Sequence, residues 1–232
     1  MRALYSPAPM SDILLETIEF ETAENPTASV IWMHGLGADG NDFVPLVREL
    51  PLPDRSIRFV FPHAPKRPVT VNGGFVMRAW YDVAGNDLAH EEDEEGLRMS
   101  QEEVESLIER EKERGIEARS IVLAGFSQGG AMAFQIGLRY PERLAALVIL
   151  SAYVPLAKTL EAERSAANAD VPIFMAHGIG DPVIPLRLAT TSRERLTSLG
   201  YEVEWHSYPM PHSVCEPEIE DVGAFLSRIL SI

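Results

Sequence analysis

A serine stands between two glycines in the segment GFSQG at 125–129. The apolar run at 120–124, which has the pattern of a buried strand, precedes it, and a helical pattern begins at Gln128. A serine on a sharp turn from a strand into a helix can act as a nucleophile. The turn exposes its hydroxyl, and the helix N-terminus supplies free N–H groups. The motif therefore predicts nucleophilic acyl chemistry at Ser127.

A serine nucleophile needs a general base and an acidic group that orients the base. Among six histidines, only His212 lies in a loop after the last strand-like segment and beyond a suitable aspartate. That aspartate is Asp181, which follows the apolar run at 171–176, whereas Asp170 precedes this run and belongs to the opposite sheet edge. The order serine, aspartate, histidine therefore predicts a catalytic triad of Ser127, Asp181 and His212.

Acyl transfer passes through a tetrahedral oxyanion, which two backbone N–H groups must stabilise. One predicted donor is Gln128, the residue after the nucleophile. The other is Leu36, which lies in the glycine-rich segment 34–37 after the apolar run at 29–33. We expect His34, at the start of this segment, to have a structural role.

Metal-dependent chemistry has little support in the sequence. His177 and Asp181 stand close together, but no third ligand follows at a useful spacing. The single cysteine, Cys215, excludes a disulfide within the chain and a cysteine-rich metal site, and we interpret it as a small apolar filler. We therefore expect no metal and no organic cofactor.

The elements that must position these residues alternate between strands and helices. Strand-like apolar runs occupy 29–33, 57–61, 120–124, 145–150, 171–176 and 201–208. Helical patterns occupy 100–114, 128–140, 186–199 and 219–229. The middle runs are apolar on both faces, whereas the last alternates like a strand nearer an edge. This order predicts an α/β fold with a mostly parallel central sheet flanked by helices.

Four further segments have local interpretations. Residues 14–22 alternate and precede the repeating pattern, which predicts an antiparallel edge strand. Ser100 and Glu103 match a capping box, which places the start of a helix at Ser100. The acidic run at 91–95 is interpreted as a solvated surface, and 62–88 as a long functional loop.

Composition limits the class of protein. The chain has 232 residues, of which 46% are hydrophobic, so a sizeable core is expected rather than disorder. Its 20 basic and 35 acidic residues give a formal charge of −15, which disfavours nucleic acid and anionic membranes as partners. We expect one domain over residues 1–232, with residues 1–10 as a loose N-terminal arm. Because no signal peptide or membrane-spanning run is found, we expect a cytoplasmic protein without membrane insertion.

The chain resembles the carboxylesterase and acyl-protein thioesterase family of α/β hydrolases, also called phospholipase/carboxylesterase. The matching segments are HGLGADGNDF at 34–43, FPHAP at 61–65, RAWYD at 78–82, GFSQGGAMA at 125–133, HGIGDPVIP at 177–185 and YPMPHSV at 208–214. This resemblance implies an α/β-hydrolase fold without a large cap domain. It also implies the roles given above for the three triad residues and the two oxyanion donors. One small departure is Ile179, where family members often carry a polar residue.

The resemblance has further implications for binding. It implies that Trp80 and Val154 line the acyl site, although core packing explains both residues equally well. It also implies a small-molecule ester or thioester as substrate and a weak homodimer as the oligomeric state.

The leading functional interpretation is a serine carboxylesterase for short- to medium-chain esters. The alternative is an acyl-protein thioesterase or lysophospholipase that uses the same residues on long-chain acyl conjugates. A lactone or carbon–carbon hydrolase on the same fold also stays open. A catalytically silent binding protein is disfavoured, because the full set of catalytic and oxyanion residues is present.

Overall fold

A seven-stranded sheet forms the centre of the protein. The computed structural model describes residues 14–47, 49–52, 56–85 and 92–230. Strands within these ranges are β1 (Thr17–Glu21), β2 (Ala28–Met33), β3 (Ile57–Pro62), β4 (Lys66–Val69), β5 (Phe75–Arg78), β6 (Ile121–Phe126), β7 (Ala146–Leu150), β8 (Ile173–Gly178) and β9 (Val203–Tyr208). The large sheet has the order β1-β3-β2-β6-β7-β8-β9, and β4 and β5 form a separate hairpin. In the large sheet only the β1–β3 pair is antiparallel.

Helices cover both faces of this sheet. Those in the described ranges are α1 (Val44–Val47), α2 (Glu94–Glu113), α3 (Gln128–Gly137), α4 (Leu160–Glu163), α5 (Leu186–Ser198) and α6 (Glu216–Leu230). Side chains of α2, α3 and α5 form one buried cluster with the sheet, and side chains of α1 and α6 form a second. Ile31 of β2 belongs to the first cluster and its neighbour Trp32 to the second, so this strand is apolar on both faces.

The predicted α/β architecture is confirmed. A mostly parallel sheet lies between helices, residues 17–21 form the antiparallel edge strand, and β9 lies at the other edge. Because β2, β6, β8 and β9 run in the same direction, the loops that follow them meet at one edge of the sheet. These are the loops that carry the residues expected to be functional.

The helix predicted over 100–114 corresponds to α2, but its predicted start at Ser100 is wrong. The helix α2 begins at Glu94, and its N-cap is Asp93, whose carboxylate accepts a hydrogen bond from the Gly96 amide. Ser100 lies in the middle of the helix. Its side chain is buried, and its hydroxyl donates to the carbonyl oxygen of Trp80. The acidic run is therefore more than a solvated surface. Asp93 caps the helix, and acidic residues in the first turn interact favourably with the helix dipole.

The segment at 62–88 contains regular structure within its described part. Strands β4 and β5 pair there as a hairpin, whose turn has Gly73 and Gly74 at φ values of 67° and 79°. Such left-handed conformations favour glycine, which explains the Gly-Gly pair. Residues 86–88, like the arm expected at 1–10, lie outside the described residues. None of the helices described is long and apolar enough to cross a membrane.

Candidate active site

The turn at Ser127 joins the end of β6 to the start of α3. Ser127 has φ 55° and ψ −119°, a conformation that non-glycine residues rarely adopt. A Cβ atom on Gly125 would overlap the carbonyl oxygen of Gly129, and one on Gly129 would overlap the carbonyl oxygen of Met33. Glycine is therefore required at both flanking positions because backbone segments approach closely there. The strained turn presents the Ser127 side chain at the sheet edge.

The structure brings the three residues of the predicted triad together. The Oγ atom of Ser127 lies 2.9 Å from Nε2 of His212, and Nδ1 of His212 lies 2.6 Å from Oδ2 of Asp181. Since an ionised carboxylate only accepts hydrogen bonds, Nδ1 of His212 carries the proton and Nε2 accepts from the Ser127 hydroxyl. This is the arrangement in which a histidine can remove the proton of a serine nucleophile.

Neighbouring groups hold Asp181 and His212 in place. The second carboxylate oxygen of Asp181, Oδ1, accepts hydrogen bonds from the amides of Val183 at 2.8 Å and Ile184 at 2.9 Å. The ring of Phe126 packs against the His212 imidazole, with centroids 4.8 Å apart. Both partners of the Asp181–His212 hydrogen bond are therefore fixed independently of a ligand.

The two expected oxyanion donors lie beside Ser127. Leu36 and Gln128 border the same cavity as Ser127 and His212. Gln128 is the first residue of α3, so its N–H has no acceptor within the helix. The Leu36 amide likewise has no backbone acceptor among the described residues. Two N–H groups are thus available to a ligand next to the Ser127 hydroxyl.

The side chain of Gln128 has a structural role that the sequence did not indicate. Its Oε1 accepts a hydrogen bond from the Trp80 amide at 2.8 Å, and its Nε2 donates to the Tyr81 carbonyl at 2.8 Å. These bonds fasten the segment RAWYD at 78–82 to the start of α3. No spacing rule in the sequence links these two distant segments.

His34 has the structural role expected for it. Its Nδ1–H donates to the carbonyl oxygen of Gly35 at 2.7 Å, and its Nε2 accepts from the Ala64 amide at 3.0 Å. Burial lowers the pKa of His34, which favours this neutral form. Its own carbonyl accepts a hydrogen bond from the Trp80 indole at 2.9 Å. His34 therefore supports the Leu36 loop and does not face the cavity.

A cavity of about 770 Å³ opens beside Ser127, within the usual size range of ligand sites. Its apolar lining includes Val71, Val83, Ile184 and Pro185 together with the rings of Tyr81 and Tyr153. The expectation for Trp80 and Val154 is corrected, since both are buried in the core and neither borders this cavity. Their chain neighbours Tyr81 and Tyr153 line it instead. For Trp80 and Val154, core packing, the other reading given above, is the one that their burial supports.

The phenols of Tyr81 and Tyr153 lie near each other at the cavity wall. Burial raises the pKa of both phenols, that of Tyr153 to about 12, and the nearby Glu92 carboxylate acts in the same direction. Both tyrosines are therefore neutral at physiological pH.

Exposed apolar side chains lie on segments that border the cavity. The turn of the β4–β5 hairpin contributes Val71 to the cavity wall, and on the same hairpin Phe75 is 69% exposed and Val76 is 56% exposed. Val183, in the loop that carries Asp181, is 56% exposed and borders the cavity. An exposed apolar surface next to a cavity often marks a site that binds an apolar ligand.

Comparison with known proteins identifies relatives along most of the chain. The Phospholipase/Carboxylesterase family model matches residues 16–230. Acyl-protein thioesterase 1 of Gibberella zeae is 38% identical over 231 residues, which cover 95% of this chain and 98% of that protein. Acyl-protein thioesterase 1 of Neurospora crassa is 40% identical over 214 residues, 88% of this chain and 87% of that protein.

A solved structure gives the same result at the level of the fold. The crystal structure of Zea mays acyl-protein thioesterase 2 has a TM-score of 0.81 and 30% sequence identity, and the match covers 93% of this chain and 99% of that one. Together with the family match across residues 16–230, this likeness establishes the family. The chain belongs to the phospholipase/carboxylesterase family of α/β hydrolases, and it is a serine ester hydrolase.

Proposed function

We propose that this protein is a thioesterase that removes long-chain acyl groups from protein cysteines through an acyl-enzyme on Ser127. The observation that carries the proposal is the connected set Ser127–His212–Asp181, with distances of 2.9 and 2.6 Å, at the wall of an apolar cavity. The set supplies a nucleophile and its base, and the cavity supplies space for an acyl chain.

The reaction follows from the positions of these groups. His212 takes the proton of Ser127 as Oγ attacks the thioester carbonyl carbon, and the carbonyl oxygen becomes an oxyanion. The amides of Leu36 and Gln128 stabilise this oxyanion, a contribution worth about 3–4 kcal/mol for each donor. The C–S bond breaks, and the leaving thiol takes the proton from His212. Water, activated by His212, then releases the carboxylic acid and restores Ser127.

Two observations favour long acyl chains over short ones. The cavity is lined mostly by apolar side chains, and the hairpin that contributes Val71 to its wall also carries the exposed Phe75 and Val76. The two fungal relatives, at 38% and 40% identity, carry the name acyl-protein thioesterase. The sequence alone favoured short- to medium-chain carboxylic esters, and the relatives support the alternative better.

Active-site labelling tests the nucleophile and the acyl pocket together. A long-chain alkyl fluorophosphonate is expected to phosphonylate Ser127 with loss of fluoride, and mass spectrometry of the peptide locates the adduct. Labelling by a hexadecyl probe should be faster than labelling by an ethyl probe, and Ser127→Ala should take up neither. An adduct on another residue, or faster labelling by the ethyl probe, would contradict the proposal.

A further inference from the structure

Besides His212, a second imidazole lies next to Asp181, and this one is buried. His177, near the end of β8, is fully buried, and its Nε2 atom lies 2.8 Å from the carbonyl oxygen of Ile184. Because a carbonyl oxygen only accepts, this nitrogen carries the proton. The same Nε2 atom is 3.4 Å from Oδ2 of Asp181, the oxygen that accepts from His212. The His177 ring, whose N–H bonds the Ile184 carbonyl, therefore also contacts the acidic member of the triad.

The other ring nitrogen of His177 lacks a partner. With the proton on Nε2, Nδ1 is an acceptor, and it is buried without a hydrogen bond to any described residue. Burial lowers the pKa of His177, so the ring is neutral and Nδ1 keeps its lone pair. Buried acceptors in proteins almost always receive a hydrogen bond, so a donor is to be expected nearby.

Ser151 is placed to supply that donor. Leu150 of β7 pairs with Ala176 of β8, and the Ser151 amide donates to the Ala176 carbonyl at 2.9 Å. Ser151 and His177 are therefore neighbours across the end of this parallel pair. The Ser151 hydroxyl is fully buried and, like Nδ1 of His177, has no partner in the part of the chain that the structure describes. Two buried polar atoms without partners thus belong to neighbouring residues of adjacent strands behind the triad.

We propose that Ser151 and His177 are joined through one buried water and that this link positions Asp181. The inference rests on the proposed function of Asp181 as the group that orients His212. In this arrangement the Ser151 O–H donates to the water and the water donates to Nδ1, which keeps the His177 proton on Nε2. That proton is donated to the Ile184 carbonyl, and Nε2 stays in contact with Oδ2 of Asp181 at 3.4 Å.

The pair complements the contacts on the other side of the carboxylate. Backbone amides of Val183 and Ile184 hold Oδ1, whereas Nε2 of His177 packs against Oδ2 at 3.4 Å. Neither Ser151 nor His177 borders the cavity, so neither touches the substrate. Both are positioning residues, which act on the reaction through the Asp181–His212 hydrogen bond.

The test uses full-length variants with a matched control. His177→Asn removes the N–H at the Nε2 position, His177→Gln restores an amide N–H near it, and Ser151→Ala removes the hydroxyl. Ser29→Ala is the control, because Ser29 is also fully buried with no partner for its hydroxyl among the described residues, but lies at the far end of β2.

Two measurements separate positioning from stability. We expect His177→Asn to lower kcat on a soluble acyl thioester by about 10- to 100-fold with KM nearly unchanged, because a small misplacement of catalytic groups has this effect. We expect Ser151→Ala to lower kcat less, His177→Gln to recover part of the loss, and Ser29→Ala to match the wild type. In NMR spectra, the downfield proton of His212 Nδ1 should shift in His177→Asn and Ser151→Ala but not in Ser29→Ala.

Wild-type kcat and an unshifted His212 proton in both His177→Asn and Ser151→Ala would overturn the inference. If His177→Asn does not fold, Ser151→Ala alone decides, since it only deletes an oxygen atom. The NMR signal needs no substrate and reports on the Asp181–His212 bond in the free protein. A wild-type protein that is inactive on acyl thioesters but shows the shifted signal in the variants would therefore contradict the proposed function and leave the positioning inference supported.

Discussion

The Oγ atom of Ser127 lies 2.9 Å from Nε2 of His212, although 85 positions separate the two residues in the chain. Ser127 follows β6, and His212 follows β9, which is separated from β6 by β7 and β8 in the sheet. The loop after β9 therefore reaches back across the sheet edge, and the Asp181 loop after β8 lies between them. The contact is possible because the parallel strands place the loops that follow them at the same edge of the sheet.

The Asp181–His212 hydrogen bond determines which nitrogen of His212 can accept the Ser127 proton. Asp181→Asn presents an amide N–H to Nδ1, which would place the imidazole proton on Nε2. We expect kcat to fall by about 10³- to 10⁴-fold with little change in stability. Asp170→Asn is the control, since Asp170 pairs with Arg143 on the surface and precedes β8. Equal losses in the two variants would argue against the assigned role.

The hairpin residue Phe75 tests the apolar surface outside the cavity. Replacing this 69% exposed side chain by serine removes apolar contact area for a long acyl chain. At about 25 cal/mol per Å², loss of some 50 Å² of contact lowers kcat/KM for a hexadecanoyl substrate by about 10-fold. The rate on an acetyl substrate should not change. Met99→Ser, at a 53% exposed position on α2, controls for general loss of surface apolarity.

A uniform decrease across chain lengths in Phe75→Ser, or the same decrease in Met99→Ser, would show that the hairpin does not contact the acyl chain.

Gln128 is expected to contribute to stability through its side chain, in addition to the oxyanion role of its backbone N–H. Gln128→Met has a similar size but leaves the Trp80 amide and the Tyr81 carbonyl without their partner. Loss of a partner for buried groups costs about 1–3 kcal/mol, so the free energy of unfolding should fall by roughly that amount. Denaturant unfolding measures it. An unchanged midpoint would mean that these backbone groups find other partners.

Glu218 links stability to pH. It is fully buried in the first turn of α6, and burial raises its pKa to about 8, partly opposed by the Cys215 amide. In the unfolded chain the carboxyl group loses its proton near its ordinary pKa of 4.5. Between about pH 5 and pH 8 the folded state therefore holds a proton that the unfolded state has lost, so stability falls as pH rises through this window.

Glu218→Gln cannot ionise, so we expect its stability relative to the wild type to increase from about pH 5 to pH 8. Urea unfolding at several pH values gives this difference, with Glu220→Gln on the exposed side of the same helix as the control. A constant difference between wild type and Glu218→Gln across the window would refute the assigned titration.

Much of the fold and the triad could be predicted from the sequence because both depend on local patterns. Apolar runs mark the buried strands, and the loops that follow parallel strands share one edge, so Ser127, Asp181 and His212 could be assigned to one site. The start of α2 is not predicted correctly, because its N-cap lies in an acidic run whose composition indicates only a solvated surface. Asp93 caps the helix, which leaves Ser100 buried inside it.

The rest of the site depends on packing between distant segments. Trp80 and Tyr81 are adjacent in the chain, yet one is a core residue and the other lines the cavity. The bonds from Gln128 to residues 80 and 81, and the proximity of Ser151 to His177, likewise arise from strand register and loop path. Residue type and spacing carry no signal for such contacts.

The most direct test is the dependence of kcat/KM on acyl-chain length, measured on thioesters of one peptide from acetyl to hexadecanoyl, for wild type and Ser127→Ala. We predict that kcat/KM rises with chain length and that Ser127→Ala is slower by at least about 10³-fold on every substrate. A maximum at short chains that falls toward hexadecanoyl would contradict the proposed substrate class. Substantial activity in Ser127→Ala would contradict the acyl-enzyme mechanism itself.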